Sequence, residues 1–173
     1  MILEIFSYLL RFIAIILLQI LVVNNIELSS YINPYIYVAF ILTLPVTMKP
    51  WQIVFLSFIL GAAMDAFSST PGLHIAATNF MGYMRIHYLR ATTTKEDIEG
   101  RMVPSISQKG IVWFSVYGFV MVFMHHLVLF FLEIYGFHEF FRTLSRVFVS
   151  TLVTLLLIVV GQLLFFRSKK GNG

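Results

Sequence analysis

Long apolar stretches are the feature that most constrains the fold of this chain. The first runs from Ile5 to Val23, close to the roughly 20 residues with which a helix crosses a hydrocarbon core of about 30 Å. Of the 173 residues, 59% are apolar and 12% are charged, whereas a soluble domain is about 45–50% apolar and about 25% charged. The sequence therefore predicts an all-α integral membrane protein with little chain left for a soluble domain.

We predict a bundle of six membrane-spanning helices within a single transmembrane domain, residues 1–173. Their approximate ranges are Ile5 to Val23, Pro34 to Thr47, Trp51 to Phe67, Gly72 to Tyr88, Ile111 to Tyr135 and Leu144 to Phe166. The second range is short and bounded by prolines, so a bundle of five spans stays open as an alternative. Outside the spans, the sequence predicts an exposed connector at residues 91–109 and a disordered tail at 167–173.

Basic residues are concentrated on one side of this predicted bundle. Six spans place both termini on one side, and the basic residues of that side are Lys49, Arg90, Lys95, Arg101, Lys109, Arg167, Lys169 and Lys170. Only Arg142 and Arg146 fall on the opposite side. The positive-inside rule then predicts that both termini lie in the cytoplasm. Because the net charge of +4 follows this membrane pattern, it does not indicate a nucleic-acid partner.

Three ionisable residues interrupt the apolar stretch GAAMDAFSSTPGLHIAATNFMGYMR. Asp65 precedes a Ser-Thr-Pro-Gly turn, where a carboxylate can accept hydrogen bonds from the free amides at the start of the next helix. We interpret Asp65 as an anchor of this helical hairpin, with proton relay or ligand coordination as the alternative. His74 begins a polar helix face that ends at Arg85, and we expect Arg85 to extend to the cytoplasmic interface. The residues of this face are His74, Thr78, Met81 and Arg85.

Carboxylates and imidazoles also gather near the predicted outer surface. They are Asp65, His74, His125, His126, Glu133, His138 and Glu139. Such side chains can bind zinc, but the chain has no HExxH motif and no cysteine. We favour hydrogen-bonded helix contacts, with Arg142 or Arg146 as candidate partners of this group. A metalloenzyme and a small-molecule site around Asp65, His74 and His126 remain as alternatives.

No catalytic pattern stands out elsewhere in the chain. It has no GxSxG motif, no phosphate-binding P-loop and no paired aspartates within the spans. The last span instead places small or polar residues on one face, namely Arg146, Ser150, Thr154 and Gly161. Such faces allow close contact between helices, either within the bundle or with another membrane protein. These observations favour a non-enzymatic protein without a cofactor.

Three segments resemble the rod shape-determining MreD family in its Bacteroidetes-type form. They read LLQILVVNNIELSSYINPYIYVAFILTLPVTMKPW, FILGAAMDAFSSTPGLHIAAT and WFSVYGFVMVFMHHLVLFFLE. The resemblance covers most of the chain between Leu17 and Glu133. It implies a fold similar to the substrate-binding components of energy-coupling-factor transporters, which is why a small-molecule-binding or transporter subunit is the alternative function. It also implies location in the cytoplasmic (inner) membrane.

The resemblance further implies a scaffold role in cell elongation. MreD-like proteins bind MreC and act with MreB filaments, the RodA glycosyltransferase and a penicillin-binding transpeptidase, so that filaments are linked to peptidoglycan synthesis. The positions that match the family pattern are Gln19, Asn24, Pro34, Pro45, Gly61, Asp65, Gly72 and His74. We expect these residues, together with Arg85 and His126, to serve structure or partner binding.

Overall fold

Every regular element that the structure describes is helical, so the predicted all-α fold is confirmed. The structure, a computed structural model, describes residues 2–26, 31–136 and 139–165. The predicted disordered tail at 167–173 and His138 lie outside the described residues. The helices are α1 (Ile2–Leu21), α2 (Ala39–Leu42), α3 (Pro50–Ser68), α4 (Leu73–Thr92), α5 (Lys95–Glu99), α6 (Ile106–Lys109), α7 (Ile111–Glu133) and α8 (Phe140–Phe165). Short 3-10 helices cover Val23–Asn25 and Ile36–Val38.

Four helical stretches are long and apolar enough to cross a membrane. They are Phe6–Asn25, Pro50–Ser68, Ile111–Glu133 and Phe140–Leu164. The helix α4 has 20 residues but is more polar, since it carries His74, Arg85 and Arg90. It packs between α3 and α7, and α7 packs in turn against α8. The four apolar stretches fit a multi-pass membrane protein in which neighbouring helices cover the polar α4.

The bundle has two ends that differ in what they carry. A short turn joins α3 to α4 at one end, here called the turn end, where α7 also ends and α8 begins. The opposite end carries α5 and α6 between α4 and α7, and is called the connector end. Among the basic residues described, Lys49, Arg90 and Lys109 lie at the connector end, whereas Arg142 and Arg146 lie at the turn end.

The second predicted span is not one continuous helix, so this part of the prediction is wrong. A 3-10 helix of 3 residues, Ile36–Val38, runs directly into α2, which has 4 residues. At about 1.5–2 Å of rise per residue this helical part is roughly 12 Å long, far short of the about 30 Å of a membrane core. The flanking residues are turn or extended. We call residues 34–46 the broken segment.

The broken segment nevertheless passes through the bundle from one end to the other. Its Ile36 amide meets Gln19 near the end of α1, and its Leu44 carbonyl meets Arg85 toward the connector end. Tyr37 and Leu42, between these points, are fully buried. Irregular backbone is tolerated at membrane depth where protein surrounds it and supplies hydrogen bonds. The polar side chains of the neighbouring helices therefore become the central question of this fold.

Two glycines allow α3 and α4 to approach closely. A Cβ atom at Gly61 would lie 2.6 Å from the Cα atom of Ile75, which is backbone and cannot move aside. A Cβ atom at Gly82 would collide with the Ser57 hydroxyl. Gly72, just before α4, has a φ of +88°, a left-handed conformation that favours glycine. These positions fix the geometry of the α3–α4 hairpin.

The connector is more ordered than the exposed loop expected from sequence. α4 continues to Thr92, and α5 then begins at a capping box in which Thr94 and Asp97 exchange hydrogen bonds. The Asp97 carboxylate also accepts from Lys109 at 2.7 Å, which ties α5 to α6. Hydrogen bonds from Lys109 and then from the Thr94 amide hold the pKa of Asp97 below its ordinary value of 3.8. The connector is thus a folded cap on this end of the bundle.

Candidate functional site

The Asp65 carboxylate closes the α3–α4 hairpin at the turn end. Its Oδ1 atom accepts from the His74 amide at 2.9 Å and from the Thr70 hydroxyl at 3.0 Å. Its Oδ2 atom accepts from the amides of Gly72 at 3.0 Å and Ile75 at 3.1 Å. These are the free amides at the start of α4, where a helix also favours negative charge. With four donors around it and 7% exposure, the carboxylate anchors the hairpin.

Gln19 of α1 forms hydrogen bonds with the backbone of the broken segment at the turn end. Its Oε1 atom accepts from the amide of Ile36 at 2.7 Å and, at 3.3 Å, from that of Tyr37. Its Nε2 atom donates to the Pro34 carbonyl at 3.0 Å and to the Asn24 side chain at 2.7 Å. The side chain is fully buried. One amide group therefore satisfies three backbone groups that no helix satisfies.

Two hydroxyl groups of α8 accept hydrogen bonds from backbone amides at the start of the same stretch. Ser150 Oγ accepts from the Asn33 amide at 3.2 Å, and Thr154 Oγ1 accepts from the Tyr35 amide at 3.1 Å. Both hydroxyl-bearing residues are fully buried. Within the polar face predicted on the last span, Ser150 and Thr154 thus bond to the backbone of residues 33 and 35, whereas Arg146 contacts Glu133 and Phe130 of α7.

The three buried histidines make hydrogen bonds within the bundle. The hydroxyl of Tyr37 lies 2.8 Å from His74 Nδ1 and 2.7 Å from His125 Nε2, so the tyrosine bridges α4 and α7. His126 donates from Nδ1 to the Val122 carbonyl at 2.8 Å, because a carbonyl can only accept. Its Nε2 atom lies 3.3 Å from the Thr154 hydroxyl. His126 thus links α7 to α8 through the Thr154 hydroxyl.

The arginines of the turn end pair with carboxylates of the predicted group, so the contacts predicted for Arg142 and Arg146 are present. Arg146 lies 2.9 Å from Glu133 and stacks over the Phe130 ring at 4.1 Å, while Arg142 lies 3.1 Å from Glu139. Within residues 2–26, 31–136 and 139–165, no group of three His, Asp or Glu side chains is arranged to hold a metal ion.

Arg85 does not extend to the interface, which corrects the prediction for this residue. Its side chain is 2% exposed and turns inward. Nε donates to the Tyr117 hydroxyl at 3.1 Å, and Nη2 donates to the Leu44 carbonyl. Tyr117 in turn donates to the Leu42 carbonyl at 3.0 Å. The broken segment, which leaves carbonyls without helical partners at this depth, draws the guanidinium inward.

A common role emerges for the buried polar side chains. Those that bond to the backbone of residues 33–44 are Gln19, Arg85, Tyr117, Ser150 and Thr154. Sequence reasoning did not identify Tyr37 or Tyr117, because buried tyrosines are common in membrane helices. The prolines at 34 and 45 were the available signal, since they limit a helix and leave backbone groups that need partners. Pro34 is buried against Gln19, and Pro45 begins the turn that leads to α3.

An apolar groove of about 410 Å³ lies between α1 and α8. Its floor is formed by the broken segment. The lining residues are Arg11, Ala14, Ile15, Leu18, Ile36, Ala39, Phe40, Thr43, Leu157, Ile158, Gly161 and Gln162. No atom lies within 4 Å of a Cβ atom built on Gly161, so the groove is open there. Asp65, His74 and His126, the residues of the predicted small-molecule site, are absent from this lining.

The ionisable side chains of the turn end are engaged in contacts within the bundle. Asp65 is committed to four donors, and His74 and His126 are buried in contacts between helices. The accessible feature is the groove beside the broken segment. Comparisons of the chain with models of known protein families, with curated proteins and with solved structures find no match.

Proposed function

We propose that the protein is a non-enzymatic membrane scaffold that binds the transmembrane helix of a partner in the groove between α1 and α8. The observation that carries this proposal is the open apolar groove between α1 and α8, which the broken segment lines. Ile36, Ala39 and Phe40 line the groove. Irregular backbone at membrane depth is stable where protein covers it, so a partner helix would complete the cover that α1 and α8 leave open.

The residues of the groove suit a helix as the occupant. Ala14, Ala39 and Gly161 bring small side chains to the groove, and small residues let helix backbones approach closely in lipid. Arg11 and Gln162 add polar groups among the apolar ones. A single-span partner with a small-residue face would pack against this surface by van der Waals contact, which is the main attraction between helices in a bilayer.

The resemblance to the MreD family supplies the identity of the partner. On that basis the partner is MreC, and the assembly is the bacterial elongation complex with MreB, RodA and the penicillin-binding transpeptidase. The chain would lie in the cytoplasmic membrane with both termini inside, so that the connector end faces MreB. Holding the MreC helix in a fixed orientation would then keep inner filaments and outer peptidoglycan synthesis in register.

Co-purification in detergent with tagged MreC tests this proposal. Gly161→Leu fills the groove, and Ala66→Leu adds a similar side chain to an exposed position of α3 away from it. We expect the unmodified chain and Ala66→Leu to retain MreC and Gly161→Leu to lose it. If Gly161→Leu retains MreC equally well, the groove is not the binding surface. If the unmodified chain fails to retain MreC, the scaffold assignment itself is wrong.

A further inference from the structure

A second cavity, of about 300 Å³, lies at the connector end between α3, α4 and the end of the broken segment. Its lining residues are Val46, Met48, Pro50, Ile53, Arg85, Ile86, Leu89, Arg90, Thr93 and Ile98. Two of these side chains are cationic and none is a carboxylate. Because α3 begins a membrane-spanning stretch at Pro50, the cavity lies at the boundary between the membrane and the connector.

Arg85 is a buried cation whose partners in the bundle are neutral. Its two hydrogen bonds, to the Tyr117 hydroxyl and the Leu44 carbonyl, use two of the five N–H donors of a guanidinium. The ion pairs Lys109–Asp97, Arg142–Glu139 and Arg146–Glu133 do not include Arg85. A charge in the bundle interior is costly unless an opposite charge compensates it. Arg85 also lines the cavity.

The surrounding helix ends favour an anion on balance. The N-terminal end of α3, at Pro50, brings the positive end of a helix dipole to the cavity. The C-terminal end of α4 brings a negative end, but Arg90 lies in its last turn and offsets it. Thr92 and Thr93 bond to carbonyls of that same turn. The cavity therefore offers two guanidinium groups and no fixed negative side chain.

We propose that this cavity binds a phosphate-class anion through Arg85 and Arg90, either the phosphate of a phospholipid headgroup or a free phosphate. A guanidinium presents paired donors that match phosphate oxygens. Basic pockets between transmembrane helices at the membrane boundary are typical sites for lipid headgroups. Arg85 holds the inner side of the anion from within the bundle, and Arg90 closes the site from the surface.

The test uses the full chain purified in detergent and stripped of lipid. The probes are inorganic phosphate, dioleoyl phosphatidylglycerol and dioleoylglycerol, which lacks phosphate. Bound lipid is counted by native mass spectrometry, and stabilisation is measured as the rise in thermal midpoint. The variants are Arg85→Lys, Arg90→Gln and the control Arg142→Gln, whose arginine is exposed at the turn end. Arg90→Gln keeps the test valid should Arg85→Lys fail to fold, because Arg90 is on the surface.

We expect phosphatidylglycerol to bind and stabilise, dioleoylglycerol to do neither, and Arg90→Gln to weaken binding about fivefold. Arg142→Gln should bind as the unmodified chain does. Stabilisation by inorganic phosphate as well as lipid would support the site with free phosphate as a ligand, and response to the lipid alone would identify the headgroup. The proposal would be overturned if neither inorganic phosphate nor phosphatidylglycerol binds or stabilises the protein. It would also be overturned if Arg90→Gln and Arg142→Gln weaken lipid binding equally. Neither result depends on MreC binding.

Discussion

The carboxamide of Gln19 accepts the Ile36 amide at 2.7 Å and so replaces a hydrogen bond that a helix would have provided. The same group donates to the Pro34 carbonyl at 3.0 Å. Gln19 lies on the regular helix α1, and Ile36 begins a short 3-10 helix. A side chain of α1 thus provides hydrogen bonds to the irregular backbone of the broken segment. Five buried polar residues are thereby explained by the backbone groups of residues 33–44 to which they bond, namely Gln19, Arg85, Tyr117, Ser150 and Thr154.

Removing the amide of Gln19 should destabilise the protein. Gln19→Leu keeps a similar volume but leaves the Ile36 amide and the Pro34 carbonyl buried without partners, at a cost of about 1–3 kcal/mol. The free energy of unfolding in mixed micelles, followed by circular dichroism, measures this loss. Asn25→Leu is the control, because Asn25 is exposed and its side chain donates only to the Ile20 and Leu21 carbonyls at the end of α1. Equal stabilities of the two variants would contradict a supporting role for Gln19.

Asp65 should be needed as a carboxylate rather than as a hydrogen-bonding side chain in general. Asp65→Asn leaves one oxygen where two now accept four donors, and its amide hydrogens would face donors of α4. We expect a loss of about 1.5–3 kcal/mol in unfolding free energy, the value of hydrogen bonds to a charged group. Glu139→Gln, in an exposed ion pair, should change stability by less than about 1 kcal/mol. If Asp65→Asn leaves the free energy of unfolding unchanged, the carboxylate does not stabilise the hairpin.

Two glycine-to-alanine changes should have opposite effects. At Gly61 the added methyl group would press against the backbone of Ile75, so α3 and α4 must separate, at about 1–3 kcal/mol. At Gly161 the methyl group meets open space, and alanine favours a helix by up to about 1 kcal/mol. Thermal unfolding of both variants should show a lower midpoint for Gly61→Ala and an unchanged or higher one for Gly161→Ala. The reverse order would mean that the close approach of α3 and α4 is not a constraint.

Local chemistry was sufficient to predict some of these features. The turn after Asp65 predicts free backbone amides within the next ten residues. The buried face of α4 is predicted by the helical spacing of its polar residues. The predicted position of the Arg85 side chain was wrong because its burial depends on the backbone conformation of residues 34–46. An apolar run between Pro34 and Pro45 reads equally well as a helix, so nothing local reveals that it is broken.

The partners of the broken segment and of the adjoining Asn33 are also distant in sequence. Gln19 is 15 residues from Pro34, and Ser150 is 117 residues from Asn33. Such pairings are set by how whole helices pack, and propensity or periodicity within a window does not report them. The α1–α8 groove is a consequence of the same packing. For this reason the sequence indicated a contact face on the last span without showing which part of it would remain open.

The ion pair between Asp97 and Lys109 should open only in acid. The pKa of Asp97 is lowered from 3.8, first by the hydrogen bond from Lys109, so the folded connector favours the charged carboxylate. The sign follows from linkage: the stabilisation is fully present above about pH 4, and is lost as the pH falls through the lowered pKa. Lys109→Met should therefore move the titration midpoint of Asp97 upward, toward 3.8.

Trp113 can report this transition, because the Lys109 ammonium lies 5.9 Å from the centre of its ring. The chain has two tryptophans, and Trp51→Phe leaves Trp113 as the remaining one. In that background, Trp113 fluorescence should stay constant from pH 7 to about pH 4 and change below it. Lys95→Met, which changes a lysine outside the Asp97 contacts, should keep the original midpoint, whereas Lys109→Met should abolish the fluorescence change. A transition centred near neutral pH would contradict the assignment, because a carboxylate stabilised by a cation titrates below its ordinary range and not above it.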